Sequence, residues 1–492
     1  MGAAESDPPW RKRMTIAQSR QPQEPGTGGP GAAAGPDEFV ELLPQTRRAL
    51  LRRLAVGQSE GRAPSMVGAV VRGGRTVWTS ARGAVDGEAP HDAVQYRIGS
   101  LTKTFVAVLV LRLRDEGLLR LEDPLGRHLD GTPVPDATIA QLLAHSSGLT
   151  AEPRGPWWER TAGELRPSPT DLFGERPQRL PAGRRHHYSN PGYALLGSLV
   201  ERLRGDTPWY EVLRHEVLEP LDMRRTTPRP QPPFADGWAV HPWADVLLPE
   251  PAEDTGLMGA AGQLWSTTAD LCRWSAFLLR GDDRVLSMES LAEMRVAAVP
   301  PEGAWDAAYG LGLQLVRREG RLLAGHLGSM PGYLAALWTD AEEDVAAVVL
   351  TNCTSGPVVA GVAADLIALV AEHEPRIPED WRPLAETPDR ELLELTGPWY
   401  WGANPHVLRL RAGRGLELAP MSGAGRASRF RLAENGTWTG LDGYYAGETL
   451  RVVRDADGAV SHLDLGTFVF TRGPYEPSEA VPGGVDPRGW RV

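Results

Sequence analysis

The sequence predicts an α+β fold: an antiparallel sheet flanked by helices, with a helical region inserted between its strands, followed by a small all-β barrel. Two observations carry that prediction. β-rich runs stand on both sides of a long helical stretch, so one sheet must draw strands from both ends of the segment. A Pro- and charge-rich stretch, "EHEPRIPEDWRPLAETPDRE", then gives way to short β-like runs separated by turn residues, the pattern of a small barrel or sandwich.

Taken in order, residues 1–36 are rich in Gly, Pro, Ala and Gln and read as a disordered tail. Residues 37–54 read as a helix, with Phe39, Leu42, Leu43, Leu50 and Leu51 on its apolar side. "SMVGAVVRGGRTVWTSARG" is a hairpin turning at Gly73 and Gly74, since glycine supplies the positive φ of a tight turn. Residues 100–279 are mostly helical, interrupted by loops such as "RPQPPFADGW". β-signals return in "YGLGLQLVRREGRLLAGHLG", "GYLAALWTD" and "DVAAVVLTN", before a helix across 358–372. The first domain is therefore expected to span 37–373 and a linker 374–389. The barrel follows at 390–476, then a frayed tail at 477–492.

With 492 residues, 41% hydrophobic and 23% charged, the chain is ordinary globular material, long enough for two domains. A net charge of −11 argues against nucleic acid as a partner, which needs a basic face. The two cysteines, Cys272 and Cys353, form no disulfide framework and suit a reducing compartment. No apolar run follows the N-terminal charges, and none approaches the ~18 residues of a membrane span. These features predict a cytoplasmic protein with no membrane partner.

Of the 52 Lys and Arg residues, only Lys12 and Lys103 are lysines. Such replacement, with abundant Ala, Gly and Pro, is what a GC-rich coding bias produces; a lysine whose only job is to be positive is lost. Arginine holds its proton at any ordinary pH, whereas a buried lysine can give it up. Lys103 lies in "IGSLTKTFVAVLVLRLRDEG", three residues after Ser100, at the head of a helix apolar on all sides. That spacing puts the two side chains on one face. Burial then makes the amine a candidate base for the serine hydroxyl. Taken alone, the same letters also fit a capping serine and a lysine reaching out to water.

"HHYSNPGYALLG" sets Tyr188 two residues before Asn190, ahead of a helix. A phenol beside a cationic lysine would have a depressed pKa and could relay the serine proton. The asparagine can donate to a substrate carbonyl and accept from the lysine. "LLAGHLGSMPGY" reads as a strand carrying His326 and Gly328, the glycine letting backbone approach a ligand closely. The N–H of Ser329, paired with that of Ser100, would form an oxyanion hole. Arg472 ends the last β-run, "TFVFTR", and is a candidate for leaning over the catalytic cleft. His186 and His187 offer a possible metal pair but read better as a solvated loop.

In this order S-x-x-K (Ser100, Lys103), Y-x-N (Tyr188, Asn190) and H-x-G (His326, Gly328) resemble the serine β-lactamase and penicillin-binding-protein superfamily. The branch is the one nearest class C β-lactamases and D-amino-acid-specific peptidases and esterases. "LLAHSSGL" and "GAAGQLWSTTADLCRW" resemble segments that border the family's cleft. The resemblance covers about residues 40–372 and implies a β-lactamase/transpeptidase-like fold. It implies Ser100 as nucleophile, Lys103 as its base, Tyr188 sharing or relaying the proton, and Asn190 holding substrate. His326, Gly328 and Ser329 would line the site, with no metal and no cofactor. His326 stands where β-lactamases and wall transpeptidases usually carry lysine, which points toward esterase, amidase or acyltransferase chemistry. A substrate carboxylate is then left to an arginine or a charged histidine.

The two-domain plan, with a lipocalin-like barrel, is similar to penicillin-binding-protein-type thioesterases. These stand-alone enzymes release a nonribosomal peptide from its carrier protein and cyclise it. The expected partner is then an acyl or peptidyl substrate, presented on a carrier protein as a thioester. Two alternatives stand beside it: a D-amino-acid-specific peptidase or esterase, and a non-catalytic binding or sensor protein on the same fold.

Overall fold

The computed structural model describes residues 41–162, 170–299, 305–354, 356–377, 381, 383–384, 390–411, 415–423, 425–433, 435–476 and 480. The expected N-terminal tail, nearly all of the C-terminal tail and much of the linker lie outside them. The chain divides into two units, Met1–Arg376 and Ile377–Val492.

In the first unit seven antiparallel strands form one sheet. Their order is Arg75–Gly83, Ser65–Arg72, Val345–Thr351, Tyr333–Asp340, Arg321–Met330, Gln314–Arg318 and Ala307–Tyr309. The N-terminal hairpin, turning at Gly73 and Gly74 with φ of +62° and +73°, thus pairs with the last strand. Successive side chains point to opposite faces of a strand. Val67, Ala335, Leu337 and Val348 accordingly enter a large core shared with the inserted helices. Met66, Val70, Ala336 and Ala347 enter a second core under helices Pro44–Glu60 and Val359–His373. Asp365 ties those helices to each other and to the sheet through Arg53 and Arg318, each 2.6 Å away. The first helix runs on past Leu54, where the sequence reading ended it. Gly57 lets it touch the other helix, since a Cβ there would lie 2.7 Å from Val362 Cγ2.

The inserted region is built around helix Thr102–Asp115, buried over most of its length as its all-round apolarity requires. Phe105 stacks on Trp274 at 3.9 Å between ring centres, and the Trp274 indole donates to Thr104 Oγ1 at 3.0 Å. Just ahead of this helix the three-residue strand Gln95–Arg97 pairs with Trp265–Thr267. Such short strands leave no periodicity to read, yet this pair fixes the chain as it enters the turn holding Ser100.

The second unit is a closed eight-stranded antiparallel barrel, from Gly397–Trp401 to Phe468–Thr471, each strand beside its sequence neighbour. Pairing of Tyr400 with Thr471 closes it, so no sheet edge is left open. Trp399, Leu408, Phe430, Leu450, Leu463 and Phe470 fill its interior. This is consistent with the lipocalin-like barrel expected from the sequence.

Candidate active site

Ser100 sits in a single 3-10 turn, Gly99–Leu101, that leads directly into helix Thr102–Asp115. Two glycines press the His326-bearing strand against this turn. Gly99 has φ +52°, and a Cβ on it would lie 2.6 Å from Ser329 N. A Cβ on Gly328 would fall 1.9 Å from the carbonyl oxygen of Ile98. The sequence reading gave Gly328 the task of admitting a ligand. The structure corrects this: the missing side chain admits the backbone preceding the nucleophile. Ser329 is exposed, and its backbone lies beside Gly99.

Lys103 is fully buried, with its Nζ 3.0 Å from Ser100 Oγ and donating to the Ala261 carbonyl at 2.6 Å. Burial pulls its pKa down to about 7, against the smaller opposing pull of Glu152 and Glu159. As an ammonium it donates to Oγ; once neutral, its lone pair can take the hydroxyl proton. The Ala261 carbonyl belongs to the "GAAGQLW" run and orients the amine.

Tyr188 is hydrogen-bonded to Ser100, and the lysine Nζ lies 4.9 Å from its ring centre. Its phenol is not depressed as the sequence predicted. Burial raises its pKa, the bond to Ser100 offsets this only in part, and the charge of Glu152 adds to the rise. The amine lies over the aromatic ring and does not offset the burial of the phenol. Tyr188 is thus a proton donor at physiological pH.

His326 is also neutral. Burial lowers its pKa to about 3, with Lys103 adding to the effect. Its Nε2 is 2.9 Å from the Tyr309 hydroxyl and its Nδ1 is 2.5 Å from the Leu327 carbonyl. The charged histidine considered for a substrate carboxylate does not exist here.

Asn190 does not meet Lys103. Its Nδ2 donates to Glu152 Oε1 at 2.8 Å, and its Oδ1 is buried with no partner among the described residues. Glu152 Oε2 accepts from the Trp158 indole at 2.8 Å, and Glu159 Oε2 accepts from that of Trp157 at 2.9 Å. Burial, with Glu152 contributing, raises the pKa of Glu159. Neither carboxylate stood out in the sequence, because each reaches the lysine only through the packing of a loop some 50 residues after Ser100.

His145, in the "LLAHSSGL" run, seats the Tyr188 loop. Its ring lies 4.0 Å from that of Tyr188, its Nδ1 accepts from Ser189 N at 3.1 Å, and its carbonyl accepts from His187 N at 2.7 Å. It holds φ +52°, a conformation uncommon for a side chain with a Cβ. Burial and the nearby Lys103 keep it neutral. His186 packs against Tyr309, while the His187 Nδ1 meets the Leu149 carbonyl at 2.7 Å, so the two rings serve separate contacts.

Arg472 makes its described contacts within the second unit. Its guanidinium lies 3.9 Å from the centre of the Trp399 ring. It donates to the carbonyls of Thr396 at 3.0 Å and Pro398 at 3.2 Å, and to that of Glu394. These three hydrogen bonds and the ring contact all lie inside its own unit.

Known proteins extend these observations. Penicillin-binding protein 4 of Amycolatopsis lactamdurans is 29% identical over 330 residues, which cover 62% of this chain and 84% of that protein. A D-aminopeptidase of Brucella anthropi is 25% identical over 311 residues, 60% of this chain but only 57% of its own length. The octameric penicillin-binding protein homologue from Pyrococcus abyssi shares the fold over 86% of this chain and 99% of that one. Its TM-score is 0.59 at 21% identity. Residues 388–472 match a domain family of unknown function, DUF7586. Residues 47–372, well over half of the chain, match the Beta-lactamase family model, so the chain belongs to that family and is a serine hydrolase of the β-lactamase and penicillin-binding-protein superfamily.

Proposed function

We propose that Ser100 takes an acyl group from a peptidyl or aminoacyl substrate and passes it to an amine or to water. One observation carries this: an amine with a pKa of about 7 lies 3.0 Å from a serine hydroxyl that a protonated phenol also bonds. Ser100 Oγ attacks the substrate carbonyl carbon while its proton passes to Lys103 Nζ. The tetrahedral adduct collapses by breaking the bond to the leaving group, which departs with a proton from Tyr188 or the ammonium. An incoming amine or water then gives its proton to the same pair and attacks the acyl-enzyme carbonyl carbon; the bond to Ser100 Oγ breaks, and Oγ takes a proton back from that pair.

Our specific reading is a stand-alone thioesterase of the penicillin-binding-protein type that releases a nonribosomal peptide and closes it into a ring. Glu152 and Glu159, with no cation from His326, give the lysine's surroundings a negative field that favours a substrate bearing an amino group. A chain whose own amine attacks its C-terminal acyl group carries such a group. The same field supports a second reading, a D-amino-acid-specific peptidase or amidase that holds a free amino terminus.

A fluorophosphonate should add one adduct to the full chain by intact mass and none to Ser100→Ala; an adduct on both, or on neither, sinks the proposal. A peptidyl pantetheine thioester should yield cyclic product. Linear product alone, with turnover of D-aminoacyl amides, would replace the cyclase by the peptidase.

A further inference from the structure

Alongside the loop that carries Tyr188 lies a cavity of about 540 Å³ that the chemistry above does not use. It opens between residues 148–154 and 172–180, and Arg154, Arg179, His187 and Thr150 line it. The two segments are tied backbone to backbone. Arg154 N donates to Leu172 O at 2.9 Å, Thr150 N to Pro177 O at 3.0 Å, and Arg179 N to Gly148 O at 2.7 Å. Both arginines therefore rise from a fixed frame while their side chains stay exposed. Among the described residues neither guanidinium has a carboxylate within ion-pair distance. Thr150 Oγ1 is buried with no partner among the described residues. Glu152 shares the wall, but its two oxygens already accept from Asn190 and Trp158. Among the described lining residues two guanidinium groups thus stand against one carboxylate.

We infer that this cavity is a subsite for an oxyanion, carboxylate or phosphate, carried by the acyl substrate; the inference rests on the acyl-transfer reading of Ser100. A planar guanidinium matches such an anion with two parallel N–H donors, and two of them on one rigid frame add geometric selectivity. His326 is neutral, so the strand beside Ser100 offers no such anchor. The cavity adjoins the site through Glu152, bonded to Asn190, and through His187, next in sequence to Tyr188. A phosphate would come from a phosphopantetheine arm, a carboxylate from a peptide end.

The test uses the full chain as Ser100→Ala, which keeps thioesters intact, and isothermal titration with two matched pairs of probes. One pair is an N-acetyl-aminoacyl pantetheine thioester and its 4′-phosphate. The other is an N-acetyl dipeptide with a free carboxylate and its amide. The anionic member of one pair should bind about tenfold more tightly than its uncharged partner, and Arg154→Gln/Arg179→Gln should abolish that advantage. Preference within the phosphate pair assigns the arm; preference within the carboxylate pair assigns the peptide end. Absence of preference in both pairs, including failure of either anion to bind at millimolar concentration, overturns the subsite, as does a preference that survives the double substitution. Fluorophosphonate labelling of the wild-type chain is scored separately. Labelling without anion preference sinks the subsite alone, and no labelling sinks the acyl-enzyme beneath it.

Discussion

Lys103 shows at the scale of one residue why fifty arginines and two lysines can share a chain. A guanidinium in its place would stay charged, and a charged group cannot accept the Ser100 proton. Lys103→Arg should therefore lower kcat/KM for an activated ester by about 10³-fold, in line with loss of a general base. A fully active arginine variant would contradict the assignment. The sign of the pH dependence follows from the same amine. Below its pKa of about 7 the lysine is protonated and inactive as a base, so the rate should climb with pH and level off above that value. Tyr188, raised by burial, stays protonated through this range and imposes no falling limb near neutrality. With only two lysines to label, a carbon-13 lysine NMR titration should show one side chain titrating near 7, lost in Lys103→Arg.

At the scale of elements, two local devices hold the catalytic groups in register. Ser189 caps helix Asn190–Leu203: its Oγ accepts from Gly192 N at 3.1 Å and donates to Thr150 O at 2.7 Å. Tyr188 and Asn190 flank that cap. Ser189→Ala should cost about 1 kcal/mol of stability by urea denaturation and lower kcat as the loop loosens. Gly328 is the second device. A methyl group driven to within 1.9 Å of the Ile98 carbonyl must push the strand off the nucleophile turn. Gly328→Ala should therefore destabilise the chain by about 3 kcal/mol or more and slow fluorophosphonate labelling of Ser100. Alanine tolerated with unchanged labelling would mean the strand and the turn are not in contact.

Across the whole molecule, each unit builds its own core. The first places a sheet between a helical insertion and a pair of terminal helices, and among the described residues no helix is long and apolar enough to cross a membrane. The second packs a closed barrel around tryptophan, phenylalanine and leucine side chains. Arg472 belongs to the latter design, bracing Trp399 and three carbonyls near the barrel's closing strands. Arg472→Met should speed amide hydrogen exchange across Phe468–Thr471; unchanged exchange would show that those contacts carry no stability.

The spacing of apolar residues determined the sheet, the buried helix and the barrel, because period-2 and period-3.6 patterns need only near neighbours. Likewise the three short motifs marked Ser100, Lys103, Tyr188 and His326, since each motif is local in the chain. Protonation was another matter. Whether Tyr188 gives or takes a proton, and whether His326 is charged, depends on burial and on groups far away in sequence. Only the folded chain brings Ala261, His145, Glu152 and Glu159 around one amine, and it turned a phenol expected to be acidic into a donor. The same folding gave Gly328 a carbonyl to clear and set the Arg472 guanidinium over Trp399. Sequence spacing lists the groups; desolvation and distance, which exist only after folding, decide the charge each one carries.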